Sequence, residues 1–214
     1  LLFRLVGGLV YTQRLKRLDI FPVSESLQVR FDTLCEQMAV GKATLLFESA
    51  RARVPMAVSY FKPVVLLPLG AVTHLPCDQL EAVLRHELAH IKRADCLVNL
   101  FQTLMETLFF YHPAVWWLSN RIREEREHCC DDMALHHHTQ PITLARALTN
   151  LQEVTMNPNN LAMAATGRKG GLSARIHRLV ANPRLKPSIL EFTLVFAVVI
   201  LMSSTVLTRA AAPQ

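Results

Sequence analysis

The 214-residue sequence predicts a mostly α domain with a small β element, an α+β fold. Three observations carry that expectation. An apolar stripe at helical spacing runs through Ser24 to Val40. Three β-rich runs crowd into residues 44–67. Two long helical patterns follow, one around Leu80 to Ile91 and one over Ala114 to Leu135.

Taken in order, Leu1 to Val10 is apolar apart from Arg4 and then turns basic, which suits the cytoplasmic end of a transmembrane helix (residues 1–13) or an interfacial helix. Leu27, Phe31, Leu34 and Met38 follow at steps of four, three and four, one helix face ending at Gly41. Thr44 to Phe47, Val54 to Tyr60 and Pro63 to Leu67 read as strands, and prolines 55, 63 and 68 suggest a sheet edge. Such an edge is either an ordinary border or a rail that pairs with an extended peptide. A helix begins near Asp78 and runs on towards Thr107. Leu97 to Leu118 is apolar, but Asn99, Gln102, Glu106 and His112 interrupt it and Pro113 breaks it. A buried or membrane-surface helix pair fits that text better than an independent span. After the long Ala114 to Leu135 helix, Pro141 to Val154 reads as helix with Leu144, Leu148 and Leu151. Asn157 to Gly171 reads as a linker, and Leu172 to Val180 as a short basic helix.

The chemistry centres on His86-Glu87-Leu88-Ala89-His90, an HExxH sequence inside a helix. Histidines four residues apart lie about 40° apart around a helix, so both imidazoles can reach one metal ion. Glu87 projects beside them, where a general base belongs. An isolated HExxH is a weak signal. A catalytic zinc also needs a third protein ligand, for which Glu, His and Asp are candidates. Glu127 lies 37 residues after His90 and shares a helix face with Asp131, one turn on. A returning antiparallel helix brings Glu127 to the metal. Asp131 can then accept a hydrogen bond from the outer nitrogen of a ligand histidine. The competing reading makes these acids a solvated face with Arg121, Arg123 and Arg126. It is preferred for Glu124 and Glu125, and the ligand reading for Glu127 with Asp131.

HELAHIKRADCLVN (from His86) followed by REEREHCCDD (from Arg123) resembles the BlaR/MecR family of bacterial membrane-bound zinc metallopeptidases, the antirepressors of β-lactam-sensor type and their relatives. The likeness extends to RARVPMAVSYFKPVVLLP (Arg51 to Pro68), FYHPAVWWLS (Phe110 to Ser119) and GGLSARIHRLV (Gly170 to Val180), and covers most of Ala43 to Leu207. The HExxH and ExxxD pair is shared with other membrane zincins such as the prenyl-protein proteases. The PVVLLP, HP and CDD text is more family-specific. The family usually has a glycine in the hairpin where this chain has Ser59-Tyr60-Phe61. The resemblance implies a gluzincin-like domain flanked by transmembrane helices. In it His86, His90 and Glu127 bind zinc, Glu87 is the base, and Asp131 supports a ligand. It also implies a protein substrate, either a cytosolic transcriptional repressor or the protein's own loop, and an extracytoplasmic sensor fused beyond the C-terminus.

Composition agrees with a membrane setting. The chain is 51% hydrophobic with a net charge of +6. Its cations gather near the N-terminus (Arg4, Arg14, Lys16, Arg17) and just before the uncharged run Phe192 to Leu207; only Arg209 lies beyond. That asymmetry favours lipid and topology over direct nucleic-acid binding. The expected organisation is a cytosolic peptidase domain (residues 14–187), a transmembrane helix (188–209) and the start of an extracytoplasmic segment (210–214), in a bacterial inner membrane. A homodimer is compatible with the sequence. The odd number of cysteines fits reduced thiols in the cytosol, and Cys129 and Cys130 read as small helix-packing residues rather than soft ligands. Three patterns are set aside. His136-His137-His138 points three ways and suits a helix end. Ser59 to Lys62 mimics SxxK without its partner motifs. Gly41-Lys42 is not a phosphate loop. An oxyanion donor is not identifiable, with His112, Arg123 and Arg126 as candidates.

Overall fold

The structure is a computed structural model and describes residues 18–41, 44–58, 62–136, 139–155 and 169–181, with residues 7 and 14. The chain divides into compact units Leu1–Val180 and Ala181–Gln214. All the described elements belong to the first, apart from the last residue of the final helix. The expected terminal membrane segments lie outside the described residues.

A four-stranded sheet comes first. Its strands are β1 (Ile20–Pro22), β2 (Leu45–Ser49), β3 (Met56–Val58) and β4 (Val64–Pro68), in the order β1-β2-β4-β3. β2 and β4 are parallel; β1 and β3 join antiparallel at the two edges. The three β-rich runs are thus strands, and the sequence reading overlooked β1. The edge inferred from the prolines belongs to β3, whereas β4 is interior. Pro63 precedes β4 and Pro68 ends it, so neither removes a donor from its middle. β4 is apolar on both faces because both are covered. Val65 and Leu67 join the core under the helices, while Val64 and Leu66 pack with Ala52 and Val58 on the other side.

Helix α1 (Glu25–Gln37) buries the stripe Leu27, Phe31 and Leu34, continued by Met38 beyond its end. Truncating Phe31 to Ala removes a fully buried ring, a change that costs about 3–5 kcal/mol in such cores. Gly70 turns the chain out of β4 with φ 82°, a left-handed value that glycine adopts without penalty. The short α2 (Ala71–His74) then leads to α3 (Cys77–Lys92), the hub of the domain. It packs against α1, the sheet, α4 (Asp95–Leu108), α5 (Pro113–Leu135) and α6 (Pro141–Thr155). Its interior residues Leu84 and Leu88 are fully buried. The last described helix is α7 (Lys169–Ala181).

One helix boundary differs from expectation. The HExxH helix does not run on towards Thr107; it stops at Lys92, and Ala94 takes a left-handed φ of 54° before α4 begins at Asp95. That conformation costs a non-glycine residue about 1–2 kcal/mol. The break turns Asp95 back towards the end of α3, where it meets His90 at 2.8 Å.

Candidate metal centre

α3 and α5 cross so that three donors converge. Nε2 of His86 and Nε2 of His90 face each other at 3.2 Å, with their rings nearly perpendicular. Glu127 closes the triangle, with Oε2 at 3.6 Å from His86 Nε2 and Oε1 at 3.9 Å from His90 Nε2. Tetrahedral zinc with bonds of about 2.0–2.1 Å separates its ligand atoms by about 3.3 Å, so this donor set is close to the size zinc needs. The return of α5, expected from the spacing after His90, therefore brings Glu127 to both histidines.

Each histidine has its own carboxylate behind it. His90 Nδ1 contacts Asp95 Oδ2 at 2.8 Å. His86 Nδ1 lies 3.0 Å from Asp131 Oδ1, close but off the line of a well-aligned hydrogen bond. In both rings this turns Nε2 towards the centre, with a carboxylate at Nδ1 of the kind that orients a metal-binding histidine. The sequence reading expected this of Asp131. Asp95 plays the matching part for His90, and nothing local in the sequence signals it, because no glycine marks the left-handed break at Ala94.

Arg175 of α7 completes the arrangement. Its Nε and Nη2 donate to Asp131 Oδ2 and Oδ1 at 3.0 and 2.7 Å, and Nη1 reaches Glu127 Oε2 at 2.9 Å. The same fork thus holds the metal-facing carboxylate and the one behind His86. Next to it, Arg178 bonds Asp132 and the backbone carbonyl of His128. Nothing local in the sequence says which acid either arginine meets.

The electrostatics follow from these contacts. Burial alone lowers the pKa of His86, but Asp131 and Glu127 outweigh it and raise that pKa to about 9. Burial alone raises the Glu127 pKa, yet His86 and Arg175 bring it down to about 2. Asp131, fully buried, is likewise held below its ordinary range against the pull of burial. Glu87 is buried between the histidines on α3, near enough for its charge to act on His86 and Arg175.

A second cluster, His90, Asp95 and Cys130, also has metal-ligating types within reach. Cys130 Sγ sits 3.3 Å from both His90 Nδ1 and Asp95 Oδ2. Burial, then the neighbouring Asp95, push its thiol well above the ordinary range, which disfavours the thiolate a metal would need. Cys130 packs in the hydrophobic core and His90 Nδ1 is already taken by Asp95, whereas Nε2 of both histidines and Glu127 face one point, so the His86–His90–Glu127 triangle is the better metal site. All five cysteines are free thiols.

The remaining candidates lie elsewhere. Glu124 and Glu125 pair with Arg121 on the exposed side of α5. Arg123 bonds Glu106, and Arg126 bonds Gln102, so both turn towards α4. His112 sits at the far end of α5, 15 residues and about 22 Å of helix from Glu127. None of the three faces the triangle as an oxyanion donor. His136 is an exposed helix-end residue, as expected.

With this geometry, comparison with known proteins is informative. The sequence matches the profile of the BlaR1 peptidase M56 over residues 1–179. The chain belongs to that family. Across 194 residues it is 27% identical to the regulatory protein BlaR1 of Bacillus licheniformis, an overlap covering 86% of this chain and 32% of that protein. It is 26% identical over 77 residues to the methicillin resistance mecR1 protein of Staphylococcus aureus, covering 36% of this chain and 13% of that one. A mecR1 protein of Staphylococcus epidermidis matches equally. The chain thus spans about a third of the BlaR1 relative's length. The family is one of peptidases by its description, and among the described residues the His86–His90–Glu127 triangle is a group that could hold a metal ion.

Proposed function

We propose that the chain is the catalytic part of a membrane-anchored zinc endopeptidase. It hydrolyses a peptide bond in a cytosolic protein, a transcriptional repressor by likeness to its regulatory relatives, or in itself, as a step in transmembrane signalling. The observation that carries this reading is the convergence of His86, His90 and Glu127 with a carboxylate behind each histidine. In the proposed topology residues 1–13 and 188–209 are membrane anchors, residues 14–187 face the cytosol of a bacterial inner membrane, and residues 210–214 begin the outer segment. The regulatory relatives favour signalling over a housekeeping zincin of prenyl-protein-protease type.

The donor set suits zinc: two imidazoles and one carboxylate, with separations near the tetrahedral value. When bound there, zinc supplies a Lewis acid that polarises the scissile carbonyl and makes water acidic enough to attack near neutral pH. Glu87 takes the proton of the attacking water and hands it to the leaving amine nitrogen. Arg175 holds Glu127 and Asp131 in place; with Nε, Nη1 and Nη2 engaged by carboxylates, it positions these groups and does not reach for substrate. β3, an edge strand packed against α3, offers a rail on which an extended substrate can pair.

Glu87→Gln tests the catalytic assignment. Cleavage of the co-expressed repressor or of the chain itself should fall by about 10²–10⁴-fold, as for loss of a general base, while zinc content stays unchanged. Signalling that persists in Glu87→Gln at unchanged protein level would mean that the fold acts as a non-catalytic module.

A further inference from the structure

The α4–α5 hairpin is built inside out relative to the rest of the domain. On α4 the residues turned inward are polar: Gln102 and Glu106 are only 4% and 6% exposed. Turned outward are Leu97, Phe101, Leu104 and Leu108, one apolar face at steps of four, three and four, beside the exposed Asn99. On α5 the pattern repeats: Ser119 is buried, while Trp117 and Leu118 are exposed. The tip between them presents Phe109, Phe110 and Tyr111, also exposed.

The inward polar groups satisfy one another. Gln102 Nε2 donates to the carbonyl and hydroxyl of Ser119 at 3.0 and 3.1 Å, Ser119 donates to Glu106, Arg123 pairs with Glu106, and Arg126 bonds Gln102. The hydroxyls of Thr103 and Thr107 turn onto carbonyls of their own helix, and the Trp116 indole N–H donates to the Phe110 carbonyl. From Cys96 to Asn120 the sequence has one charged residue, Glu106, and it is the buried one.

Water gives no reason for this arrangement. A helix in water buries its apolar stripe and exposes its polar one. The reverse, with polar side chains paired inside and apolar ones outside, is what a hydrocarbon solvent selects. Cations at the base suit the headgroup level: Lys92 and Arg93 lie before α4, and Arg121 on the outer side of α5, while the tip exposes Phe109, Phe110 and Tyr111 beside His112. Length decides how far such a hairpin can go. No helix among the described residues is long and apolar enough to cross a membrane. The stripe from Leu97 to Leu108 rises about 17 Å, roughly half of a hydrocarbon core about 30 Å thick.

We infer that the α4–α5 hairpin dips into one leaflet of the lipid bilayer, as a membrane-embedded element separate from the apolar run near the C-terminus. Glu127 lies five residues beyond Ile122, about 8 Å further along α5. The histidine–glutamate triangle then sits at the level of the headgroups, and the peptide bond it acts on is presented at the membrane surface. The occupant is lipid, and the inference does not depend on whether the triangle binds zinc.

The chain's two tryptophans, Trp116 and Trp117, both lie on this hairpin, so their emission reports on it directly. The 214-residue chain would be reconstituted into phosphatidylcholine–phosphatidylglycerol vesicles containing lipids brominated along the acyl chain. Brominated lipid should quench most of the tryptophan emission, and aqueous acrylamide little of it. A single tryptophan at Phe101, in a background with Trp116 and Trp117 changed to Phe, should behave the same way; one at Gln28 on α1 should respond to acrylamide instead. Wild-type emission quenched by acrylamide but not by brominated lipid would overturn the proposal in favour of a water-facing hairpin. Protection from both quenchers would also overturn it, because protein, a second copy or another segment of this chain, would then be the cover.

Discussion

The two ends of α5 follow opposite rules. From Glu127 to Leu135 the helix turns carboxylates inward onto histidines and an arginine, and Cys130, Asp131 and Ala134 are buried in the domain core. From Pro113 to Ile122 it turns Ser119 inward and leaves Trp117, Leu118 and Ile122 outside. Both ends bury polar groups, and both pair them. What differs is the surroundings: apolar side chains enclose the site end, while the hairpin end wears its apolar side chains as its surface. The burial of a polar residue therefore does not by itself mark a functional site. The distinguishing sign is whether metal-ligating atoms converge on one point, as Nε2 of both histidines and Glu127 do, or the polar groups only pair with one another, as Gln102, Glu106, Ser119 and Arg123 do.

Changes at the site end should be costly to the fold, the metal or both, and those on the outer hairpin face to neither. Asp131→Ala comes first. It leaves Arg175 buried without its main partner, a kind of loss that destabilises by about 3–5 kcal/mol. A denaturant melt should show it, whereas Glu124→Ala on the exposed side of the same helix should stay within about 0.5 kcal/mol of the parent. Equal effects would remove the distinction. Asp95→Asn comes next. The fold should persist while zinc affinity, followed by chelator competition, drops about 10–100-fold, as for other partners behind metal-bound histidines. An unchanged affinity would mean that the 2.8 Å contact with His90 is incidental.

The pH response has a definite sign. His86 has its pKa raised from 6.5 to about 9 in the metal-free protein, so its contribution to stability is full below 6.5 and fades as the pH rises through about 9. Glu127 is lowered from 4.5 to about 2, so its contribution is full above 4.5 and fades as the pH falls through about 2. The metal-free domain should thus draw most on this pair between pH 4.5 and 6.5. A metal must displace the proton on His86, so zinc affinity should climb with pH up to about 9, with proton release measurable by calorimetry in buffers of different ionisation enthalpy. A flat profile over that range would place the metal away from His86. The mildest change is Phe101→Ser. Metal content should not move, while partition into vesicles should fall; a loss of zinc there would show that the two ends are not independent.

Much of this was legible in the sequence because it is periodic. The pairs His86–His90 and Glu127–Asp131 sit one helix turn apart, and the α1 stripe and the β-rich runs are local patterns. What was not legible depends on contacts between distant residues or on unsignalled backbone geometry. Arg175 meets Asp131 across 44 residues. Asp95 reaches His90 only because Ala94, not a glycine, takes the left-handed conformation. β1 is three residues long and ends in proline, too short to leave a pattern. The run from Leu97 to Leu118 did announce apolar text with polar interruptions; which set turns inward is a property of packing, and periodicity alone does not choose.

The account rests on Glu127 as the third ligand. Zinc content of the detergent-purified chain after equilibration at fixed free zinc, parent beside Glu127→Ala, tests this most directly. About one zinc per chain in the parent and a large loss in the variant is the expected result, since a catalytic zinc takes three protein ligands. Full retention of zinc by Glu127→Ala would contradict the account and move the search to His128 and the cysteines beside it.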